Sequence, residues 1–255
     1  MKLAVSGKGG VGKTTIAATL ARLMARQERQ VLALDADSNP NLAIPLGIDG
    51  GTERIAPVPA DLGEWKEDDR GRAYVQLTIP LPEVIQRYGT RGPDGVLLLV
   101  MGTVNHAGVG CRCSAHAAAR GITGQMVAEA DVAVLDMEAG MEHLGRGTVE
   151  HVDTLLVVTE PYFRALQAAS HIRHLAYELG VPRILVVANR LRSDEERDAV
   201  LDYCHRHGLE VVSTIPFDEA IPEAERLGLA PLDYSPDSPA MCALRELAAR
   251  LLAQD

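Results

Sequence analysis

The chain holds four cysteines in 255 residues, too few for a disulfide framework in a protein of this length, so each reads as a thiol, a ligand or a core residue. No apolar run approaches eighteen residues, which removes any candidate membrane span, and the first residues enter a strand-like run rather than a charged and then apolar leader. These absences predict a cytoplasmic protein. Basic residues are scarce as well: 25 Lys and Arg face 35 Asp and Glu, a net charge of −10. That balance denies the chain the broad basic face that nucleic acid or an anionic membrane requires, although it permits a local basic patch. Only Lys2, Lys8, Lys13 and Lys66 are lysine, and two of these share one glycine-rich segment.

That segment, residues 6–15, reads S-G-K-G-G-V-G-K-T-T directly after Leu3, Ala4 and Val5. It matches G-x-x-x-x-G-K-[ST], the phosphate-binding loop. Glycines at Gly7, Gly9, Gly10 and Gly12 let the backbone wrap tightly enough to aim its N–H groups at a polyphosphate. Gly9, Gly10, Val11, Gly12, Lys13, Thr14 and Thr15 are thus the candidate cradle. Lys13 supplies a point charge to the β- and γ-phosphates, Thr14 a hydroxyl to the accompanying Mg²⁺, and the helix starting here adds its positive end. The alternative is a glycine-rich turn that binds nothing. Lys8, one residue past the first glycine, sits on the rim of this cradle, where its stem reaches its own nucleotide or one on a facing subunit; a solvated surface lysine is the other reading.

Short apolar runs at 2–5, 31–34, 96–101, 132–135, 155–158, 184–188 and 211–215 alternate with longer segments of helical spacing at 14–27, 163–179, 193–207 and 239–252. The alternation predicts an α/β fold, a mostly parallel sheet of about seven strands with helices on both faces. Runs such as Leu97-Leu98-Leu99-Val100 predict strands buried on both sides. Ser193 and Glu196 form a candidate capping box. Ligands in such folds lie at the carboxyl ends of the strands. The length fits one domain over 1–255, with 50–93, which contains the lone Trp65, too long for a plain connection. It is an inserted element or lid, or a surface excursion.

Acidic groups stand at two predicted strand ends. After the second strand, Asp35 and Asp37 precede Ser38-Asn39-Pro40; Asp37 can orient or deprotonate an attacking water, and Asp35 can support Mg²⁺ from behind its direct ligands. Turn-forming acids before a proline are the alternative. The fourth strand ends in Asp136, with Gly140 four residues on, so Asp136 is the expected partner of Mg²⁺ through water. Asn189 closes another strand and carries an amide that donates and accepts at once, as a purine edge requires; a capping or turn asparagine is the other reading. No N-K-x-D guanine motif is present, which favours ATP.

Gly110-Cys111-Arg112-Cys113 places two thiols two positions apart. In an extended segment residues i and i+2 point to one side, so both sulfurs can face one ion. Two thiolates leave a Zn²⁺ or Ni²⁺ site half complete, and a twofold axis, with each subunit giving two sulfurs to a shared metal, is the simplest completion. A vicinal disulfide-like pair or unrelated core cysteines are the alternatives. Cys204 and Cys242 stand singly in helical patterns and read as small core residues.

The K-G-G-V-G-K-T run at 8–14 resembles the deviant phosphate loop of the ATPases that include septum-site, plasmid-partition, nitrogenase iron protein and metallocentre-maturation members. The resemblance implies that Lys8 is the signature lysine crossing a dimer interface to the partner's ATP, that Lys8, Lys13 and Asp37 serve hydrolysis, that 136–140 is the second switch, and that Asn189, Pro216 and Phe217 hold adenine. From Met1 to about residue 220, and closely at 101–113, 136–143 and 145–148, the chain is similar to the CooC-type nickel-insertion ATPases of carbon monoxide dehydrogenase maturation. That likeness implies a homodimer whose ATP cycle opens and closes a Cys111/Cys113 site for Ni²⁺ (or Zn²⁺) and delivers nickel to the iron–sulfur cluster of carbon monoxide dehydrogenase, with no nucleic acid or membrane partner. Ser114 and Ala115 stand where a proline is expected after the second cysteine. His106, His116 and His143 are extra ligands or gates, or structural. A partition ATPase acting on DNA or membrane is a second reading, opposed by the net charge and by the lack of basic and large aromatic residues in 239–252. An electron-transfer ATPase with a cluster between subunits is a third; iron protein relatives draw ligands from two loops, whereas both cysteines here lie in one.

Overall fold

A computed structural model describes residues 1–67, 73–102, 112–139, 149 and 151–254, with only the backbone of 73, 112–116, 127 and 128. In chain order, β1 (Lys2–Gly7), α1 (Lys13–Ala25), β2 (Val31–Asp35) and the single turn α2 (Ala43–Leu46) lead into the inserted region, which holds β3 (Gly63–Glu67), β4 (Ala73–Leu77), α3 (Leu81–Tyr88) and β5 (Thr90–Arg91). Then come β6 (Leu97–Val100), α4 (Arg112–Glu129), β7 (Val132–Asp136), β8 (Thr154–Thr159), α5 (Phe163–Glu178), β9 (Arg183–Leu191), α6 (Asp194–Arg206), β10 (Val211–Pro216), α7 (Ala220–Arg226), α8 (Pro231–Tyr234) and α9 (Pro239–Leu252).

The main sheet runs β10-β9-β8-β1-β7-β2-β6-β5. All seven expected strands are present and parallel, and an eighth, the two-residue β5, joins antiparallel at the β6 edge. Side chains alternate between two cores because successive strand residues point to opposite faces. Leu3, Val5, Leu156 and Val158 pack with α1 and α9 on one side, while Ala4, Leu155 and Val157 pack with α3, α4, α5 and α6 on the other. Both faces are therefore dry, which accounts for apolar runs without polar alternation. The chain enters at the central β1 and crosses β7 to reach β2, so the carboxyl ends of β1, β7 and β2 lie side by side.

The helical expectations agree to within two residues at each end. Ser193 caps α6, its hydroxyl accepting the Glu196 N–H at 3.3 Å, while Glu196 reaches back to the Arg192 N–H at 2.7 Å. The segment after β6 departs from the sequence reading. Cys113 is not in an extended stretch but in the first turn of the eighteen-residue helix α4, so the same-side argument for the thiol pair fails for its second member. Alanine-rich composition favours that helix, and its interrupting glycines are contact points: a Cβ on Gly121 would lie 2.9 Å from Leu77 Cδ2. Cys111, His106, His143 and Gly140, with the side chains of Cys113 and His116, lie outside the described residues.

The 50–93 region is a cover for α4. Its β3–β4 hairpin pairs Trp65 with Val75, Arg120 of α4 stands over the Trp65 ring at 5.3 Å, and Gly63 lies so close that a Cβ there would be 2.5 Å from the Ala118 nitrogen. Cys204 is buried as expected, whereas Cys242 is only half-buried.

Candidate functional site

The loop between β1 and α1 is shaped by its glycines. Gly12, in the left-handed conformation at φ 93°, caps α1, and a Cβ on it would lie 2.6 Å from Asn189 Nδ2, so both its backbone and its neighbour require glycine. Lys13 opens α1 and is buried, its ammonium donating to the Lys8 carbonyl at 3.3 Å. Burial lowers the Lys13 pKa, opposed by the facing charges of Asp136 and Asp37. Lys8 is exposed at the rim, free of the packing that holds Lys13.

Asp35 and Asp136 face each other in register at the ends of β2 and β7. Both are buried. Asp35 accepts the N–H groups of Asp37 at 3.2 Å and Leu42 at 2.8 Å, which pins the following loop, and burial raises its pKa to about 6. Asp136 is pushed up to about 8, first by burial and then by the Asp35 charge, against the Thr14 hydroxyl and Lys13. Its Oδ1 is buried with no hydrogen-bond partner. Asp37 is half-buried and accepts the Asn39 N–H at 2.8 Å. Ser38 donates to Glu138 at 2.6 Å, linking the loops after β2 and β7.

Two cavities of about 470 and 380 Å³ share Gly12, Thr15, Arg190, Ile221 and Glu225 and so form one cleft along the sheet end. The larger is lined by Asn189, Pro216 and Phe217, the smaller by Gly10, Lys13 and Thr14. The cleft joins a chamber in which Ile215, Pro216, Phe217 and Leu244 stand beside polar side chains to a chamber lined by the phosphate loop and the Lys13 cation. No described residue of 50–93 lines it, so the inserted region does not act as its lid among the described residues.

The structure thus brings together Gly10, Gly12, Lys13, Thr14, Thr15, Asn189, Pro216 and Phe217 along one cleft, with Asp37 and Asp136 facing Lys13. Val11 is buried, Gly9 approaches Ala139, and Lys8 lines neither cavity. Sequence reasoning missed Arg190, whose guanidinium donates to the Gly10 carbonyl at 2.7 Å and pairs with Glu160 at 2.8 Å, and Arg192, which lies 3.5 Å above the Phe217 ring. The charge of Arg190 beside Asn189 at a strand end was the available signal. Its left-handed backbone, φ 60°, leaves no mark in composition.

An Mg²⁺ ion would fit the donor set. It takes one or two carboxylates or hydroxyls, substrate phosphates and several waters, and the orphaned Asp136 oxygen beside Thr14 is an acceptor that the fold leaves unused. Among the described residues no group of three or more His, Cys, Asp and Glu side chains gathers to hold a metal by itself, and no helix is long and apolar enough to cross a membrane.

The CobQ/CobB/MinD/ParA nucleotide binding domain matches residues 2–232. The carbon monoxide dehydrogenase accessory protein CooC of Rhodospirillum rubrum is 40% identical over 245 residues, 92% of this chain and 91% of that protein. An uncharacterised ATP-binding protein of Methanocaldococcus jannaschii is 36% identical over 235 residues, 89% of this chain and 90% of that one. Among solved structures, the septum site-determining protein MinD of Pyrococcus horikoshii, complexed with Mg-ADP, superposes with a TM-score of 0.75 at 21% identity over 99% of this chain and 96% of that one, a likeness of fold. With the family model matched over residues 2–232, from β1 into α8, the chain is an α/β protein that belongs to the CobQ/CobB/MinD/ParA family of nucleotide-binding domains and is a homologue of CooC.

Proposed function

We propose that this protein is an ATPase of carbon monoxide dehydrogenase maturation, a homodimer that carries nickel at the Cys111 and Cys113 thiolates and uses ATP turnover to release it to the dehydrogenase. The observation that carries the ATPase part is the pair of buried side chains Lys13 and Asp136, a cation and a carboxylate with one unsatisfied oxygen, set beside the Thr14 hydroxyl at a loop that caps a helix. The similarity to CooC supports the client.

In this reading adenine enters the larger chamber against Asn189, Pro216 and Phe217, and the phosphates lie along 9–15, where the loop N–H groups and the α1 dipole favour anions. Lys13, freed from the Lys8 carbonyl, turns to the β- and γ-phosphates. Thr14, with Asp136 acting through water, would hold Mg²⁺, which would supply positive charge against the phosphate oxygens. Asp37 orients a water toward the γ-phosphorus and takes its proton as the bond to the ADP oxygen breaks. The exposed Lys8 reaches the nucleotide of the facing copy, so closure of the dimer and completion of the site are one event. Nickel is cargo, held by two thiolates from each subunit, a donor set that suits Ni²⁺ and Zn²⁺ alike.

An anaerobic Ni²⁺ titration of the metal-free protein tests the cargo, following thiolate-to-metal absorbance and mass in solution with Cys111→Ser/Cys113→Ser alongside. One Ni²⁺ per two chains, with metal-linked dimerisation lost in the variant and ATP binding retained, is expected. Binding that ignores the cysteines, or purification with bound iron and sulfide, sinks the nickel reading.

A further inference from the structure

Two consecutive residues at the end of β9 hold two consecutive carbonyls of the phosphate loop. The Asn189 amide donates to the Val11 carbonyl at 2.8 Å, and Arg190 Nη1 donates to the Gly10 carbonyl at 2.7 Å. Neighbouring residues of a regular strand point to opposite faces, so this convergence needs a break in the strand. The break is visible in the cores. Leu185 and Val187 pack on the α1 face and Val186 and Ala188 on the other, an order that would return Leu191 to the α1 face. Leu191 instead joins the opposite core. Parity is reversed by Arg190, whose φ of 60° is left-handed, an uncommon and strained conformation for a residue with a long side chain. Strain of this kind persists only where surrounding contacts hold it, and Glu160, just past β8, supplies one by pairing with the same guanidinium nitrogen at 2.8 Å.

In a trans peptide the carbonyl and the following N–H point in opposite directions. A carbonyl of Gly10 held by Arg190 therefore turns the Val11 N–H away from the guanidinium, and a carbonyl of Val11 held by Asn189 does the same for the Gly12 N–H. Neither N–H has an acceptor among the described residues. Gly10 is at φ 83° and Gly12 at φ 93°, so these peptide planes have little steric preference of their own and their direction depends on outside anchors.

We infer that Asn189, Arg190 and Glu160 form a strap that presets the Val11 and Gly12 N–H groups toward the polyphosphate, with Arg190 a positioning residue that acts through the loop rather than by touching the base. This rests on the nucleotide-binding reading above. The Arg190 side chain is 43% exposed, so its ion pair contributes little stability by itself. Its effect falls on the preorganisation of the loop.

The test is calorimetric binding of Mg-ADP and of magnesium pyrophosphate to the full chain, with melting temperatures, for wild type, Arg190→Ala, Arg190→Lys and Glu160→Gln. Loss of a charge-assisted anchor predicts binding weakened on the order of tenfold or more in Arg190→Ala, by the same factor for both ligands because both use the loop. Arg190→Lys, which keeps a donor, recovers most of the affinity, and Glu160→Gln shows a smaller parallel loss. Weakened ADP with unchanged pyrophosphate places Arg190 at the nucleoside and overturns the inference, as do unchanged affinities for both. If Arg190→Ala melts early, Glu160→Gln and Arg190→Lys decide by the same criterion. Wild type that binds neither ligand refutes the nucleotide reading itself, an outcome distinct from failure of the strap.

Discussion

The ends of β2 and β7 carry the same side chain at the same level of the sheet, and the two do opposite things. Asp35 and Asp136 are register partners and equally buried. Asp35 spends its oxygens on the N–H groups of Asp37 and Leu42, so its charge is consumed in holding the adjoining loop. Asp136 keeps one oxygen without a partner and carries the higher pKa, about 8 against about 6. Burial does not distinguish a structural carboxylate from a site carboxylate. The count of satisfied lone pairs does, because an unsatisfied buried acceptor is costly and persists where a ligand completes it.

The sharpest way to break that contrast is Asp136→Asn. ATP turnover is expected to fall by at least about 100-fold, while the melting temperature of the nucleotide-free protein holds or rises, since a buried group whose pKa is pushed up to about 8, and which must take up a proton on folding at neutral pH, is replaced by one that need not. Undiminished turnover would move the metal-holding role elsewhere. Asp35→Ala should act the other way, on stability first: orphaning two backbone donors costs on the order of 2–3 kcal/mol, and at this chain length that lowers the melting temperature by several degrees. A variant that melts like wild type would erase the distinction between the strand ends.

The pH dependence sharpens it. Both carboxyls have folded-state pKa values above the ordinary 3.8, so the folded protein binds more protons than the unfolded chain, and stability falls as pH rises. For the protein free of nucleotide and divalent metal, the Asp35 contribution is complete below about pH 4 and lost by about pH 6. That of Asp136 is lost only by about pH 8. Urea titrations across this range should show a decline that Asp136→Asn truncates at its alkaline end; a flat profile in wild type contradicts the assignment. The smallest effect belongs far from the cleft. Trp65→Ala removes the ring under Arg120 and should cost about 0.5–1 kcal/mol, with ATP turnover unchanged.

The strands were legible because each is a short local pattern bounded by turn residues, and the loop at 8–14 because phosphate chemistry restricts its residues in consecutive positions. Less legible was α4. Two glycines interrupt its periodicity, and they are explained by partners far along the chain, Leu77 for Gly121 and His151 for Gly124. The two-residue β5 is too short to leave a pattern. Arg190 was unread for a related reason: its role depends on a backbone reversal and on Gly10, 180 positions away.

By itself the sequence determined the α/β class, the seven parallel strands, the phosphate loop and the identity of the residues at the strand ends, since all of these follow from local periodicity and local chemistry. Only the tertiary structure decided that β7 lies between β1 and β2, that Asp35 is satisfied while Asp136 keeps one oxygen unpaired, that Cys113 lies in the first turn of a helix, and that Asn189 and Arg190 grip adjacent peptides of the loop. These outcomes turn on contacts between segments distant in the chain, whose register is set by the packing of two cores at once and by no single stretch of residues.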